Sequence, residues 1–281
     1  MGWNEWPLML FTVLAQSAIG AYWLCAFALF TERRDVLARR RLERLMIVVW
    51  VVLGAAFLSS TAHVGSPMRG ANVLLRVGQA PLSNELFFGM SFIAVGGIAW
   101  LLSLFADSSR TLRNALYLLA LVLSIALLWN MTRFYLMPTV PTWNTPLTPV
   151  AFVVTAVLGG AMLANLLFAL AGLASRRLDR LVAAVAVLGL IGGVVAAVVL
   201  ITTLPGIQTS VHAATSMSPD MGMWQAARFL LLFAAVALVL GQVIVGRRVL
   251  PVMVVALLLV LGGEIIGRGV FYALHMTVGL V

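Results

Sequence analysis

The sequence predicts an all-α, polytopic membrane protein: one integral domain over residues 1–281, with eight transmembrane helices and both termini outside. Three observations predict it. Hydrophobic residues make up 63% of the 281 and charged residues only 10%, against about 45–50% and about 25% in soluble domains. That apolar content suffices for about eight crossings of about 20 residues each. The charges, finally, are gathered into the gaps between apolar stretches. Too little polar sequence remains to build a second, soluble domain.

Each helix follows from an apolar run and its punctuation. The first, 8–30, follows MGWNEWP, which lacks the basic start of a signal peptide, so the segment is expected to be retained. The Arg-rich 31–44 separates it from 45–63. A stretch with Gly65, Pro67 and Pro81 then leads to 85–105, and a short polar gap leads to 114–135. The loop 136–147 holds Pro138, Pro141 and Pro146 and precedes 148–172. Next come 181–204, a break opened by Pro205-Gly206, and the final pair 225–245 and 250–271. No internal repeat is visible, so a transporter built from duplicated halves is not supported.

All 18 basic residues are arginine, against nine acidic residues. Thirteen of them fall in the alternate loops 31–44, 106–113, 173–180 and 246–249. Arg69, Arg76, Arg133, Arg228 and Arg268 lie on the other side. The positive-inside rule places the 13-arginine side in the cytoplasm. No basic helix interleaved with aromatics is present, so the charge orients the chain and does not bind nucleic acid.

Composition also limits the chemistry. The single cysteine, Cys25, excludes a disulfide and an iron–sulfur cluster in this chain, and no metal-ligand spacing is present. His63, His212 and His275 lie at or beyond helix ends, so a transmembrane haem with axial histidines is not expected. Glycine pairs, with the small-xxx-small spacings Gly189…Gly193 and Gly263…Gly267, mark close helix packing. Gln16 and Cys25 read as packing residues.

The remaining polar groups are asymmetric. His63, Glu85, Arg133, Arg228, Glu264, Arg268 and His275 all fall toward the outer ends of their helices. Glu264, about 15 residues into the last helix, is roughly 22 Å from its inner end. A pump or channel needs a polar path through the whole thickness; the apolar inner half offers none, which points to chemistry at the outer face.

Segment 62–89 is the most informative. His63 ends the second helix, with Gly65 following as its C′ residue. Glu85 begins the third, with Ser83 or Asn84 as N-cap. Two readings stand side by side. An imidazolium at a helix C-terminus and a carboxylate at an N-terminus are each favoured by about 0.3–1 kcal/mol with no further role. Alternatively they form a quinol pocket, in which neutral His63 accepts a hydroxyl proton and Glu85 passes it to water. Glu264 and Arg268, at i and i+4, are placed as a structural ion pair on one helix face.

The runs WNEWPLM, HVGSPMRG, LSNE, GGIAWLL, VPTW and GEIIGRGVFYALHMTVG resemble the membrane-anchor subunit of dimethyl-sulfoxide-reductase-type complexes, essentially end to end. Region 173–225, with His212, matches only in hydropathy and is assigned no role. The resemblance implies an eight-helix subunit of a bacterial cytoplasmic (inner) membrane that oxidises menaquinol to menaquinone. Electrons would pass to an iron–sulfur subunit carrying 4Fe–4S clusters, then to a molybdopterin catalytic subunit. It further implies that His63 binds quinol with Glu85 beside it, and Ser66 and Arg69 of the same run complete the quinol-binding set. The outer loops 64–84, 136–147 and 205–224 are expected to meet the partner, with Arg69 and Arg76 among the contacts; Arg76 fits a lipid phosphate equally well. The rival readings are a quinone-binding subunit of polysulfide- or nitrite-reductase type, disfavoured by the terminal motif, and a purely structural anchor, disfavoured by the outer histidine and glutamate.

Overall fold

The computed structural model describes residues 2–32, 35–62, 67–105, 109–209 and 213–278, with backbone alone at 67–71. Its α-helices are α1 (Trp6–Thr31), α2 (Val36–Leu45), α3 (Ile47–Thr61), α4 (Pro81–Ser103), α5 (Arg110–Tyr135), α6 (Leu147–Ala171), α7 (Arg176–Thr203), α8 (Met221–Val245) and α9 (Leu250–Ala273). With α2 and α3 taken as one nearly continuous span, eight helices among the described residues are long and apolar enough to cross a membrane. The protein is thus all-helical and multi-pass, as expected.

Helix starts differ from expectation in a consistent way. Segment 31–44, a loop by its charge, is mostly helix α2. Asp35 caps it by accepting the Ala38 N–H at 2.9 Å, while Ala38 and Leu42 are buried. Arginine and leucine are good helix formers, so a charged segment can extend a span beyond its apolar part. Likewise α5 starts at Arg110 behind Ser109, and α7 at Arg176 behind Ser175, whose hydroxyls cap Leu112 and Leu178. Apolar runs alone miss such polar first turns.

Helix α4 also starts early. Pro81 occupies its first position, where a missing N–H and fixed φ cost nothing, and Ala80 stands at the cap with extended backbone. Neither Ser83 nor Asn84 is therefore the N-cap. Asn84 Oδ1 instead accepts the Gly78 N–H at 2.6 Å, and Glu85 lies one turn inside the helix. The preceding segment, expected to be a plain break, folds as a 3-10 helix over Pro67–Arg76.

Helices α1 and α6 form the centre and are the most buried spans. They cross so closely that a Cβ on Gly20 would strike the Ala156 carbonyl, and one on Gly159 would strike Ser17. Close backbone approach of this kind replaces the hydrophobic drive that helices lack in lipid. Around this pair, α3, α5 and α9 pack on α1; α7 and α9 pack on α6; α4 joins α5, and α8 closes against α7 and α9. Tyr22 donates to the Tyr117 carbonyl at 2.8 Å and Trp23 to Ser124 at 2.9 Å, tying α1 to α5. The start of the described chain meets the end of α9, where Gly2 packs on the backbone of Gly269 and Ala273.

That end holds few arginines; the opposite end is arginine-rich. At the rich end, Glu43 pairs with Arg39 at 3.5 Å and with Arg113 at 3.8 Å. There too Arg248 binds Asp179 and donates to the Leu173 carbonyl.

Candidate functional site

The arginine-poor end contains a layer of buried polar side chains supplied by five helices. Gln16 comes from α1, Glu85 from α4, Thr155 from α6, Arg228 from α8, and Glu264 and Arg268 from α9. All are buried, Glu264 at 2% exposure and Arg268 at 3%. Spacing explains their inward aim. Glu264 and Arg268 share the face of α9 that carries Val260 and Tyr272, all buried, while Leu258 on another face is exposed.

The expected Glu264–Arg268 ion pair is replaced by a different one. Arg228 Nη2 contacts Glu264 Oε1 at 3.0 Å. Arg268 Nη2 donates instead to Gln16 Oε1 at 2.8 Å and to the Thr155 hydroxyl at 3.1 Å. Thr155 in turn donates to Glu264 Oε2, so its oxygen links the two α9 charges. The i, i+4 spacing did put both on one face. A partner from α8 takes the carboxylate because Gly267 lacks a Cβ, which would otherwise collide with the Arg228 guanidinium. Gln16, read as packing, is thereby a hydrogen-bond acceptor for a buried charge. Its long polar side chain in an apolar helix was the available signal.

An aromatic shell surrounds these charges. The Arg268 guanidinium lies over the Phe152 ring, 4.1 Å from its centroid, a favourable cation–π geometry. Trp143 stacks between Phe271 and His275, with centroids at 5.1 and 4.6 Å, and donates to the Phe271 carbonyl at 2.7 Å. Tyr135 and Tyr272 share a 2.5 Å hydrogen bond between their hydroxyls. These groups were invisible as a cluster in the sequence, since they come from α5, α6, α9 and the 136–146 connection.

Glu85 is 5% exposed and faces inward with Ser83 and Gly89. His63 and Ser66, and the Arg69 side chain, lie outside the described residues, as does His212. The predicted meeting of His63 and Glu85 therefore rests on the sequence. Arg133 is exposed on the last turn of α5, and His275 is exposed beyond α9. Among the described residues, no three or more His, Cys, Asp or Glu side chains converge to hold a metal ion.

The profile of the DMSO reductase anchor subunit (DmsC) family matches residues 1–274. The protein belongs to that family. It is similar to the anaerobic dimethyl sulfoxide reductase C subunit of Escherichia coli (strain K12), with 41% identity over 99% of its own length and 98% of the relative. The YnfH subunit of anaerobic dimethyl sulfoxide reductase from the same organism is 37% identical over the same shares. The C subunit of the Haemophilus influenzae enzyme is 32% identical, again over 99% and 98%. This DmsC-family protein is thus the membrane anchor of a DMSO reductase-type oxidoreductase complex. Its family implies partnership with catalytic and iron–sulfur subunits.

Proposed function

We propose that this anchor subunit oxidises menaquinol at its arginine-poor end, facing the periplasm across a bacterial cytoplasmic membrane. The observation that carries the reading is the position of Glu85. A carboxylate is buried one turn inside α4 at the arginine-poor end, while apolar helices provide lodging for an isoprenoid tail. Burying a carboxylate is costly in a membrane, so such residues mark functional positions by default.

Oxidation of one quinol releases two electrons and two protons. Each of the two hydroxyl protons passes in turn to His63 through neutral imidazole, and Glu85 takes it onward toward the aqueous edge before the next transfer. Ser66 and Arg69 orient the quinol oxygens. The electrons leave for the 4Fe–4S clusters of the iron–sulfur subunit and reach the molybdopterin catalytic subunit, where the terminal acceptor is reduced. Proton release and acceptor reduction then share one side, so the subunit itself conserves no energy.

The test uses membranes carrying His63→Ala or Glu85→Gln. Quinol-driven reduction should fall at least about a hundredfold, the scale of losing a positioned acid–base group. Reduction driven by an artificial viologen donor should persist. Unchanged quinol-driven turnover in both variants would overturn the assignment, and loss of both activities would assign the residues to assembly.

A further inference from the structure

At the arginine-rich end, opposite the quinol site proposed above, four helices enclose a small polar cavity. Its volume is about 30 Å³, and its lining includes Asn165 of α6, Asp179 of α7, Gln242 of α8, Met253 of α9, and Arg247 and Arg248 of the α8–α9 connection. That is room for one oxygen-sized group. Two side-chain amides reach it without partners. Asn165 is 5% exposed, and no hydrogen bond joins its side chain to another described residue. Gln242 Oε1 accepts the Val249 N–H at 3.4 Å, which leaves Nε2 buried without an acceptor. Burying unsatisfied polar groups is costly, so the two amino groups call for an acceptor.

The charges facing the cavity do not cancel. Arg248 is fully engaged: its Nε and Nη2 donate to Asp179 Oδ1, and its Nη1 donates to the Leu173 carbonyl. Asp179, the one carboxylate in the lining, is therefore already matched. Arg247 lines the mouth, is exposed, and has no carboxylate in ion-pair contact among the described residues. The adjacent first turns of α7 add Arg176, Arg177 and Arg180, and the further acid of this corner, Glu32, accepts from the Ser175 hydroxyl. Even with Glu32 counted, the corner is positive. Helix α9 also begins here without a side-chain cap, so the positive end of its dipole adds to the same loop. Gln242 lies three residues before the end of α8, about 5 Å along the axis, so the mouth stands where a span meets the headgroup layer.

We propose that this corner holds the phosphodiester of one anionic phospholipid. One non-bridging oxygen enters the cavity and accepts from Gln242 Nε2 and the Asn165 amide, while Arg247 pairs with the phosphate from outside. A phosphodiester carries one negative charge, matching the one arginine of the lining that lacks a carboxylate, and its oxygens accept without donating. Water fits the volume and would satisfy the amides, but it brings no counter-charge for Arg247. A zwitterionic lipid brings the same phosphate together with a cation that the surrounding arginines repel. Basic pockets between transmembrane helices at the cytoplasmic side suit such headgroups. The site is independent of the quinol reading, since Glu85 belongs to α4 at the other end of the bundle.

The experiment takes the full-length protein, purified in detergent with the subunits that accompany it and then delipidated. Dioleoyl phosphatidylglycerol, dioleoyl phosphatidylcholine and inorganic phosphate are titrated separately, with native mass spectrometry and melting temperature as readouts. Phosphatidylglycerol should be retained at one per anchor subunit, about tenfold more tightly than phosphatidylcholine, and should raise the melting temperature by several degrees. Arg247→Gln removes the unpaired charge at an exposed position and should abolish the preference. Asn165→Leu keeps every charge and fills the cavity, and it should also release the lipid. Arg44→Gln removes an exposed arginine of α2 at the same end but outside the cavity lining, and it should leave retention unchanged. An equal loss in Arg44→Gln would assign the preference to diffuse charge and overturn the site. So would an equal shift with inorganic phosphate, equal retention of the two lipids, or retention of phosphatidylglycerol by either cavity variant.

Discussion

Thr155 shows how much one hydroxyl organises when water is excluded. It donates to Glu264 and accepts from Arg268, so two opposite charges on α9 meet through a residue of α6. Thr155→Val keeps the shape and removes both bonds, leaving buried charged groups short of partners. A loss of about 1–3 kcal/mol is expected, read as a lower melting temperature of the detergent-purified complex. Arg228→Leu or Glu264→Leu alone should cost more, about 3–5 kcal/mol, because each leaves an opposite charge unpaired. The double variant should cost less than the two single losses added, and full additivity would refute the pair. Sequence reasoning recognised Glu264 and Arg268 as a polar face. It could not supply Arg228, which is 36 positions from Glu264 and reaches it only by helix packing.

At the scale of elements, close approach decides the architecture. Helices α1 and α6 meet backbone to backbone at Gly20 and Gly160, where an added Cβ on either would strike main-chain atoms. Main-chain atoms cannot rotate aside, so Gly160→Val should separate the two helices. Gly54→Ala should be tolerated, since nothing lies within 4 Å of its Cβ position. Fluorescence-detected size exclusion of tagged variants checks this: a folded, monodisperse peak for Gly160→Val would contradict the packing. Glycine pairs were legible as packing signals, but not which helix each one meets. The polar first turns of α2, α5 and α7 were missed for a related reason. Hydropathy reports where lipid contacts the protein, whereas a helix starts where a cap satisfies its N–H groups.

For the whole molecule, the eight candidate spans among the described residues make orientation the property to test. With the arginine-rich loops in the cytoplasm, a reporter active only outside the cytoplasm should work when fused after Val281. The same reporter fused after Ala174, in the α6–α7 connection, should be silent. The reverse pattern would invert the proposed periplasmic quinol site. The sequence alone determined the membrane class, the number of spans and the sidedness of charge, because partition into hydrocarbon depends on composition over about 20 residues. It also singled out Glu85, Glu264 and Arg268 as costly charges. Only the tertiary structure decided which charges pair and which donors stay unsatisfied. Those properties arise between helices distant in the sequence, where a hydrogen bond or a missing Cβ acts over a few ångströms and leaves no periodic trace in the residues.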